Sequence, residues 1–471
     1  MEVPAGIEKT MYFDQRIWDP VLLSHVMTVC ARSSFRDAQE ITNDLLRREE
    51  ADCFSFRTLQ DTVRREGKRS EQEMLRMAKK ELRMYGFDPH TGKPMKGVTL
   101  SENLTNPKIS EDDREIMAQL MKEAVAKYNE TTENPEEQIR WETVAENVDN
   151  LPENTVVLCV DEVGVHQQKE KRGNAETEKA IKKSGNKDAR TGRKYNETTV
   201  VYLRAREGAY RFAAENVLSA VLMAFGFMLH WNMLQDRDLM IFSDGAKNIR
   251  SVIRDVFSFR PYTLNLDWFH LRKHCYEVLT MALYGGARNK ERNAELRYHF
   301  DKRLFVGNIE GAKRYLDELD PAVIKNPGKI VELKEYLDKK SYGIYPYAVR
   351  KELNVINSSN QGEKSNDLVV AQRCKHNGMS WTGSGINGMR NINLIILNNE
   401  NDWYENHSLL FEPIPLSAKL MKQYGRLMKS KERDNTKDAI LTRSDAQLET
   451  FVYERPRTHI LSPSPSPHSH G

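Results

Sequence analysis

Three carboxylates in this chain have the types and positions needed to hold metal ions around a phosphate. Asp161 follows the apolar run Thr-Val-Val-Leu-Cys-Val at 155–160, and Asp244 follows Leu-Met-Ile-Phe-Ser at 239–243. Glu363 comes much later, near the start of a segment with helical character. Carboxylate oxygens suit Mg²⁺ or Mn²⁺ rather than zinc. Two such ions, about 3.5–4 Å apart, activate one oxygen nucleophile and stabilise the leaving oxygen of an in-line displacement. With water as nucleophile the outcome is hydrolysis, and with a DNA 3′-hydroxyl it is strand transfer. The residues therefore specify a reaction class more closely than an outcome. Each Asp alone also fits an ordinary turn or cap after a strand.

Two further stretches add chemistry. In Asp267-Trp268-Phe269-His270, Asp and His stand three apart at a strand-to-helix junction and can face the same side. His270 can then orient a phosphate, a metal-bound water or a neighbouring carboxylate. Equally, Asp267 can be a helix cap and His270 structural, and both readings stay open. In the other stretch, a helix over about 362–375 puts Glu363 near its N-terminus and Arg373 and Lys375 at its end, within reach of phosphates. Trp381 can stack on a base or sit in the core, and core packing is favoured.

The elements that must position these residues follow from hydrophobic patterning. Strands are expected at 155–160, 198–204, 209–214, 238–243 and 262–266, with a hairpin turn at Glu207-Gly208. Helices are expected at 217–231 and 247–257. Three strands, helix, strand, helix, strand, with acids after the first and fourth strands, is the ribonuclease-H-like arrangement. Near-continuous apolar runs fit a mixed five-stranded sheet covered by helices. The core then comprises residues 151–270 and, after an all-helical insertion over 271–355, residues 356–430. Helices within the insertion are expected at 271–283, 290–305, 308–318 and 328–339.

Ahead of this core, residues 34–88 read as three helices, at 35–48, 56–66 and 71–85. Ser34, Ser55 and Ser70 are the caps, and the second helix stops at Gly67. A short helix, a glycine turn and a basic helix form a helix-turn-helix-like pattern. Arg64, Arg65, Lys68, Arg69, Arg76, Lys79 and Lys80 supply charge for phosphates; the plain alternative is a helical bundle with solvated cations. A second basic stretch, from Lys169 to Lys194, includes Lys182, Lys183, Arg190 and Arg193. Residues 89–110 read as a linker and 111–150 as a helical lead-in. Residues 1–33 carry no assignment, and the Ser-Pro-rich tail over 431–471 cannot bury a core.

Bulk composition sets limits. At 471 residues several domains are expected, and 39% hydrophobic with 30% charged residues is ordinary for a globular protein. A net charge of +3 leaves nucleic-acid binding to local patches. The five scattered cysteines lack metal-ligand spacing, and no secretory pattern precedes them, so reduced thiols in a cytoplasm are expected. No run is long enough for a membrane span.

As a set, three motifs resemble a prokaryotic insertion-sequence transposase of the DDE class, in the group related to Mutator-like elements. They are Val160-Asp161-Glu162 before a basic loop; Ser243-Asp244-Gly245-Ala246 followed by Leu266-Asp267-Trp268-Phe269-His270; and Gly362-Glu363 with Arg373, Lys375, Gly378-Met379 and Trp381. The match spans about 155–395. The resemblance implies Asp161, Asp244 and Glu363 as ligands of two Mg²⁺ or Mn²⁺ ions, with Asp267 and His270 accessory. It also implies double-stranded DNA partners (terminal inverted repeats and a target), a homodimer or higher multimer on DNA, and a cytoplasmic, nucleoid-associated location. Glu352 and Asp367 lack the trailing motif at the right distance. The competing readings are a ribonuclease-H-like nuclease without strand transfer and a transposase-derived DNA-binding protein that no longer cuts.

Overall fold

The structure, a computed structural model, describes residues 20–47, 53–108, 111–146, 148–167, 195–375 and 381–398. Among these, residues 26–398 belong to one compact unit and 20–25 to a second. Helix α1 spans Pro20–Arg32 and α2 spans Phe35–Leu45, with the Ser34 hydroxyl accepting from the Asp37 amide at 3.1 Å. Helix α3 runs without interruption over Phe56–Met84, 29 residues, and is capped by Ser55. The turn expected at Gly67 and the cap expected at Ser70 are not formed, and Ser70 is buried inside the helix. Gly67 serves as a contact point instead. A Cβ there would lie 2.3 Å from the carbonyl oxygen of Gly388, and one on Gly388 would lie 2.8 Å from Arg64 Cα. Two helix backbones touch at this crossing. A lone glycine costs a helix only about 1 kcal/mol, which the apolar face of α3 offsets by burying Leu59, Val63, Met74, Ala78 and Leu82. Just ahead of the segment expected as a linker, Phe87 packs against Phe225 and Phe259, with ring centroids 4.9 and 4.8 Å away. Helix α4 (Glu111–Glu130) follows.

The apolar runs become one five-stranded mixed sheet, with order β3-β2-β1-β4-β5. Its strands are β1 (Thr155–His166), β2 (Tyr195–Ala205), β3 (Gly208–Ala214), β4 (Asp238–Ser243) and β5 (Thr263–Leu266). β1 pairs antiparallel with β2 and parallel with β4, and β4 pairs parallel with β5. β1 runs six residues beyond the expected end at Val160 because its two edges have different lengths. The parallel ladder stops at Val160 opposite Ser243, while the antiparallel ladder continues to His166 opposite Tyr195. Asp161 therefore lies inside a strand, at the point where β4 turns away. Helix α5 (Val217–His230), buried along nearly its whole length, follows β3, and α6 (Lys247–Val256) joins β4 to β5.

After β5, every described element is helical. α7 (Trp268–Ala282), α8 (Lys290–Phe305), α9 (Ile309–Asp317) and α10 (Pro327–Lys340) surround an apolar core that includes Leu271, Cys275, Phe300, Leu316, Leu333 and Leu337. α11 (Tyr347–Glu352) places Arg350 wholly out of solvent, where it forks onto Asp149 at 2.7 and 2.8 Å. The helix expected over 362–375 is broken into α12 (Asn360–Asn366), one wider π-type turn (Asp367–Ala371) and a last turn at Gln372–Cys374. Helix α13 (Gly383–Leu397) closes the described chain.

Candidate functional site

Two residues apart on β1, Cys159 and Asp161 project from the same face of the sheet. Helix α12 lies directly on Cys159: a Cβ on Gly362 would be 2.9 Å from Cys159 Cβ. Glycine at 362 is what permits this approach. The next residue, Glu363, is thereby brought beside Asp161. One turn on, Asn366 donates from Nδ2 to Asp161 Oδ2 at 2.6 Å, and the Glu162 amide donates to Asp161 Oδ1 at 2.8 Å. Asp161 is 7% exposed. Burial, then the charges of Glu363 and Asp244, push its carboxyl up to about 7 against the opposing pull of the Glu162 amide and His270. A carboxylate held this way gains most from a nearby cation.

His270, in the first turn of α7, sits between the acids. Its Nε2 is 2.5 Å from Glu363 Oε1 and 3.9 Å from both Asp161 Oδ2 and Asp267 Oδ2. One ligand atom each from Asp161, His270 and Glu363 lies within 4.8 Å of the others. Asp244 is not part of that tight group. It opens onto an adjoining cleft of about 320 Å³ shared with His270, Lys273, His274, Tyr336 and Lys340. Its Oδ1 accepts from the Ala246 amide at 2.7 Å, and Gly245 between them has φ of +77°. Lys340 donates to the Gly245 carbonyl and so ties the helical block to this loop. Asp161 and Glu363 each offer an oxygen and His270 a ring nitrogen to one another's neighbourhood, a set that could hold a metal ion.

Asp267 fills the helix-cap role that the sequence left open for it. It is fully buried, caps α7 through the Phe269 amide at 3.1 Å, and holds both the amide (3.1 Å) and the hydroxyl of Ser359. This fastens the start of α7 to the approach of α12, and so His270 to Glu363. Sequence reasoning missed Ser359, Asn366 and Lys340. Asn366 follows Glu363 by three residues, a helical spacing that faces both one way; the other two carry no local signal.

The residues proposed for phosphate contact are scattered. Arg64 pairs with Asp61, Arg65 and Arg69 with Glu66, and Arg76 with Glu73, all along α3, while Lys68 and Lys80 are exposed and Lys79 is half-buried. Arg373 does not project from a helix end. It is buried, donates from Nε to the Cys30 carbonyl at 3.1 Å, and stacks over Phe35 and Trp381. Lys375 is exposed. Trp381 is 8% exposed, in line with core packing. Lys182, Lys183, Arg190 and Arg193, with Gly378 and Met379, lie outside the described residues.

No model of a known protein family matches this chain. A search of curated proteins likewise finds no significant match. The resemblance drawn from the sequence thus rests on its motifs alone.

Proposed function

We propose that the protein is a DDE transposase, with a ribonuclease-H-like core that cuts and joins DNA with the help of divalent cations. The observation that carries this reading is the gathering of Asp161, Glu363 and His270 where β4 leaves β1, with Asp244 on the adjoining cleft. Asp161, Asp244 and Glu363 would hold two Mg²⁺ or Mn²⁺ ions, which supply Lewis-acid activation of an oxygen nucleophile and stabilisation of the leaving oxygen. Asn366 fixes the rotamer of Asp161, and Asp267 with Ser359 fixes the spacing of His270 and Glu363. His270 is placed to hold or pass a proton at Nε2. The reading takes the helical elements between Trp268 and Glu352 as the insertion it calls for. Terminal repeats and target DNA are the proposed substrates, with a multimer bringing two DNA ends together, in a cytoplasmic, nucleoid-associated setting. Among the described residues no helix is long and apolar enough to cross a membrane.

One observation favours the second reading, a nuclease without strand transfer. The N-terminal helix-turn-helix that weighed toward a transposase is replaced over 56–84 by a single helix packed on the core. The deciding experiment incubates the wild type and Asp244→Ala with DNA carrying the sequence that flanks the gene, with and without Mg²⁺ or Mn²⁺. Metal-dependent nicking lost in the variant, with joined products, supports the transposase. Nicking without joining selects the nuclease. Cleavage undiminished in Asp244→Ala sinks the carboxylate assignment.

A further inference from the structure

The cleft of about 320 Å³ beside the acids is a furrow between α7 and α10 that opens at the Asp244 loop. Its walls follow from helical spacing. His270, Lys273, His274 and Glu277 share one face of α7, and Tyr336 and Lys340 stand four apart on α10. Apolar residues of both helices, among them Cys275, Leu333 and Leu337, pack in the common core. The His274 and Tyr336 rings meet between the helices with centroids 4.0 Å apart.

The lysines and arginines of these two helices divide by where they point. Those outside the furrow are paired: Arg272 with Asp301, Lys329 with Glu332, Lys334 with Asp317 and Lys339 with Glu335. The two that line it have no counter-ion among the described residues. Lys273 is exposed and makes no hydrogen bond or ion pair there. Lys340 is half-buried, spends one N–H on the Gly245 carbonyl and lies over the Tyr336 ring at 5.9 Å. An ammonium has three N–H donors, so two remain. The Tyr336 hydroxyl, a further donor, has no hydrogen-bond partner among the described residues and is not one of the polar atoms sealed in the core. Asp244 and Glu277 also line the furrow. Asp244 is the acid assigned to a cation, and Glu277 is exposed, at the end of the α7 stripe farthest from His270. Unpaired ammonium groups and a free hydroxyl beside a phosphoryl-transfer site fit a phosphate.

We propose that the furrow holds a non-reacting phosphate of the DNA strand, the neighbour of the one at the acids, on Lys273, Lys340 and the Tyr336 hydroxyl. The proposal deepens the reading of DNA as substrate and rests on it. It gives the helical block a task, since α7 and α10 bring to the catalytic loop two strand-binding cations that the sheet does not supply. Lys340 also links that phosphate to Asp244, because the same ammonium holds the Gly245 carbonyl.

The test measures binding of a fluorescent duplex with the sequence that flanks the gene to the full chain, by anisotropy over a salt series without added metal. Lys273→Gln is the clean variant, because this exposed side chain makes no bond within the described fold. Lys340→Gln also loses the tie to Gly245, so Lys340→Arg, which keeps the charge, is measured beside it. Lys273→Gln and Lys340→Gln are each expected to weaken binding several-fold. The double variant should lower the slope of log affinity against log salt by about 0.9, the value for one phosphate. Lys340→Arg should keep the wild-type slope, and Glu277→Gln should bind more tightly. A neutral methylphosphonate moved along the strand should weaken the wild type at one position to which the double variant is indifferent. Affinity and slope unchanged in Lys273→Gln overturn the proposal, whatever Lys340→Gln does. Inorganic phosphate that displaces the duplex at concentrations far below the salt used, and fails to do so in Lys273→Gln, identifies free phosphate as the occupant and overturns the strand assignment. DNA cleavage by the wild type with Mn²⁺ is followed in parallel. Variant-sensitive binding without cleavage removes the transposase reading but keeps the phosphate site, and cleavage with binding that ignores Lys273→Gln does the reverse.

Discussion

Around Asp161, side chains that touch no substrate are expected to control how well the site works. Asn366 donates to Asp161 Oδ2 from a buried position. Asn366→Ala frees that oxygen to rotate, and outer-sphere partners of this kind are worth ~10–100-fold in metal affinity or activity. The Mg²⁺ concentration needed for half-maximal cleavage should rise by that order, with DNA binding unchanged; an unaltered Mg²⁺ dependence would remove Asn366 from the site. Gly362 offers a sharper geometric test. Gly362→Ala drives a methyl toward Cys159 Cβ, an atom every residue but glycine possesses. Overpacking of this type costs about 1–3 kcal/mol. Urea unfolding should show that loss, and Cys159→Ala should not rescue it, because the clash is with Cβ and not with sulfur. Glu363 was legible at this scale through its Gly-Glu context. The cap role of Asp267 was legible too, but its clamp on Ser359 was not, because Ser359 stands 92 residues away.

At the scale of elements, α3 reverses an ordinary rule. Gly→Ala in a helix interior normally adds about 1 kcal/mol of stability. Gly67→Ala should instead destabilise, since its methyl has no room beside the Gly388 backbone. A rise in the melting temperature of Gly67→Ala would show that the α3–α13 crossing is looser than described. The β2–β3 hairpin supplies a pH test. Burial alone would raise the Glu207 carboxyl, but the Arg237 fork at 2.6 and 2.7 Å wins and lowers it below its ordinary value. A carboxylate with a depressed folded-state pKa contributes stability that is present above its unfolded value and lost as pH falls through the folded value. Arg237→Gln should therefore be less stable at neutral pH, and the difference from wild type should shrink as the solution is acidified. A difference that stays constant with pH would show that the fork contributes through packing alone. Strands and helices from 195 to 340 were readable to within a few residues, because burial periodicity and local caps such as Asn216 and Asn308 agree there.

The whole molecule buries four of its five thiols. Cys53 is exposed, whereas Cys30, Cys159, Cys275 and Cys374 are buried. Burial pushes Cys30 and Cys374 up to about 12, and Cys159 and Cys275 further in the same direction. Thiolate is the reactive form, so a chromogenic thiol reagent should modify one cysteine quickly in the native chain and the other four only on unfolding. Fast reaction at more than one thiol would mean that the region around α1, β1 or α7 opens readily. The same count reports on cooperativity, since the buried four are distributed over α1, β1, α7 and the turn after α12.

Local pattern sufficed for the alternation of strands and helices, for the two aspartates that follow apolar runs, and for the all-helical stretch after β5. Each depends on residues within a turn or a strand length of one another. Tertiary structure decided the rest. It carried α3 through Gly67, because the partners that make the helix worthwhile, α5 and α13, come from distant parts of the chain. It extended β1 past Asp161, because an edge can continue with one neighbour after the other has left. It also separated the roles of Asp267 and His270, neighbours on one helix turn: one is enclosed by Ser359 and the other is left facing the acids. Which oxygen meets which partner depends on how distant segments are brought together, and spacing along the chain does not encode that.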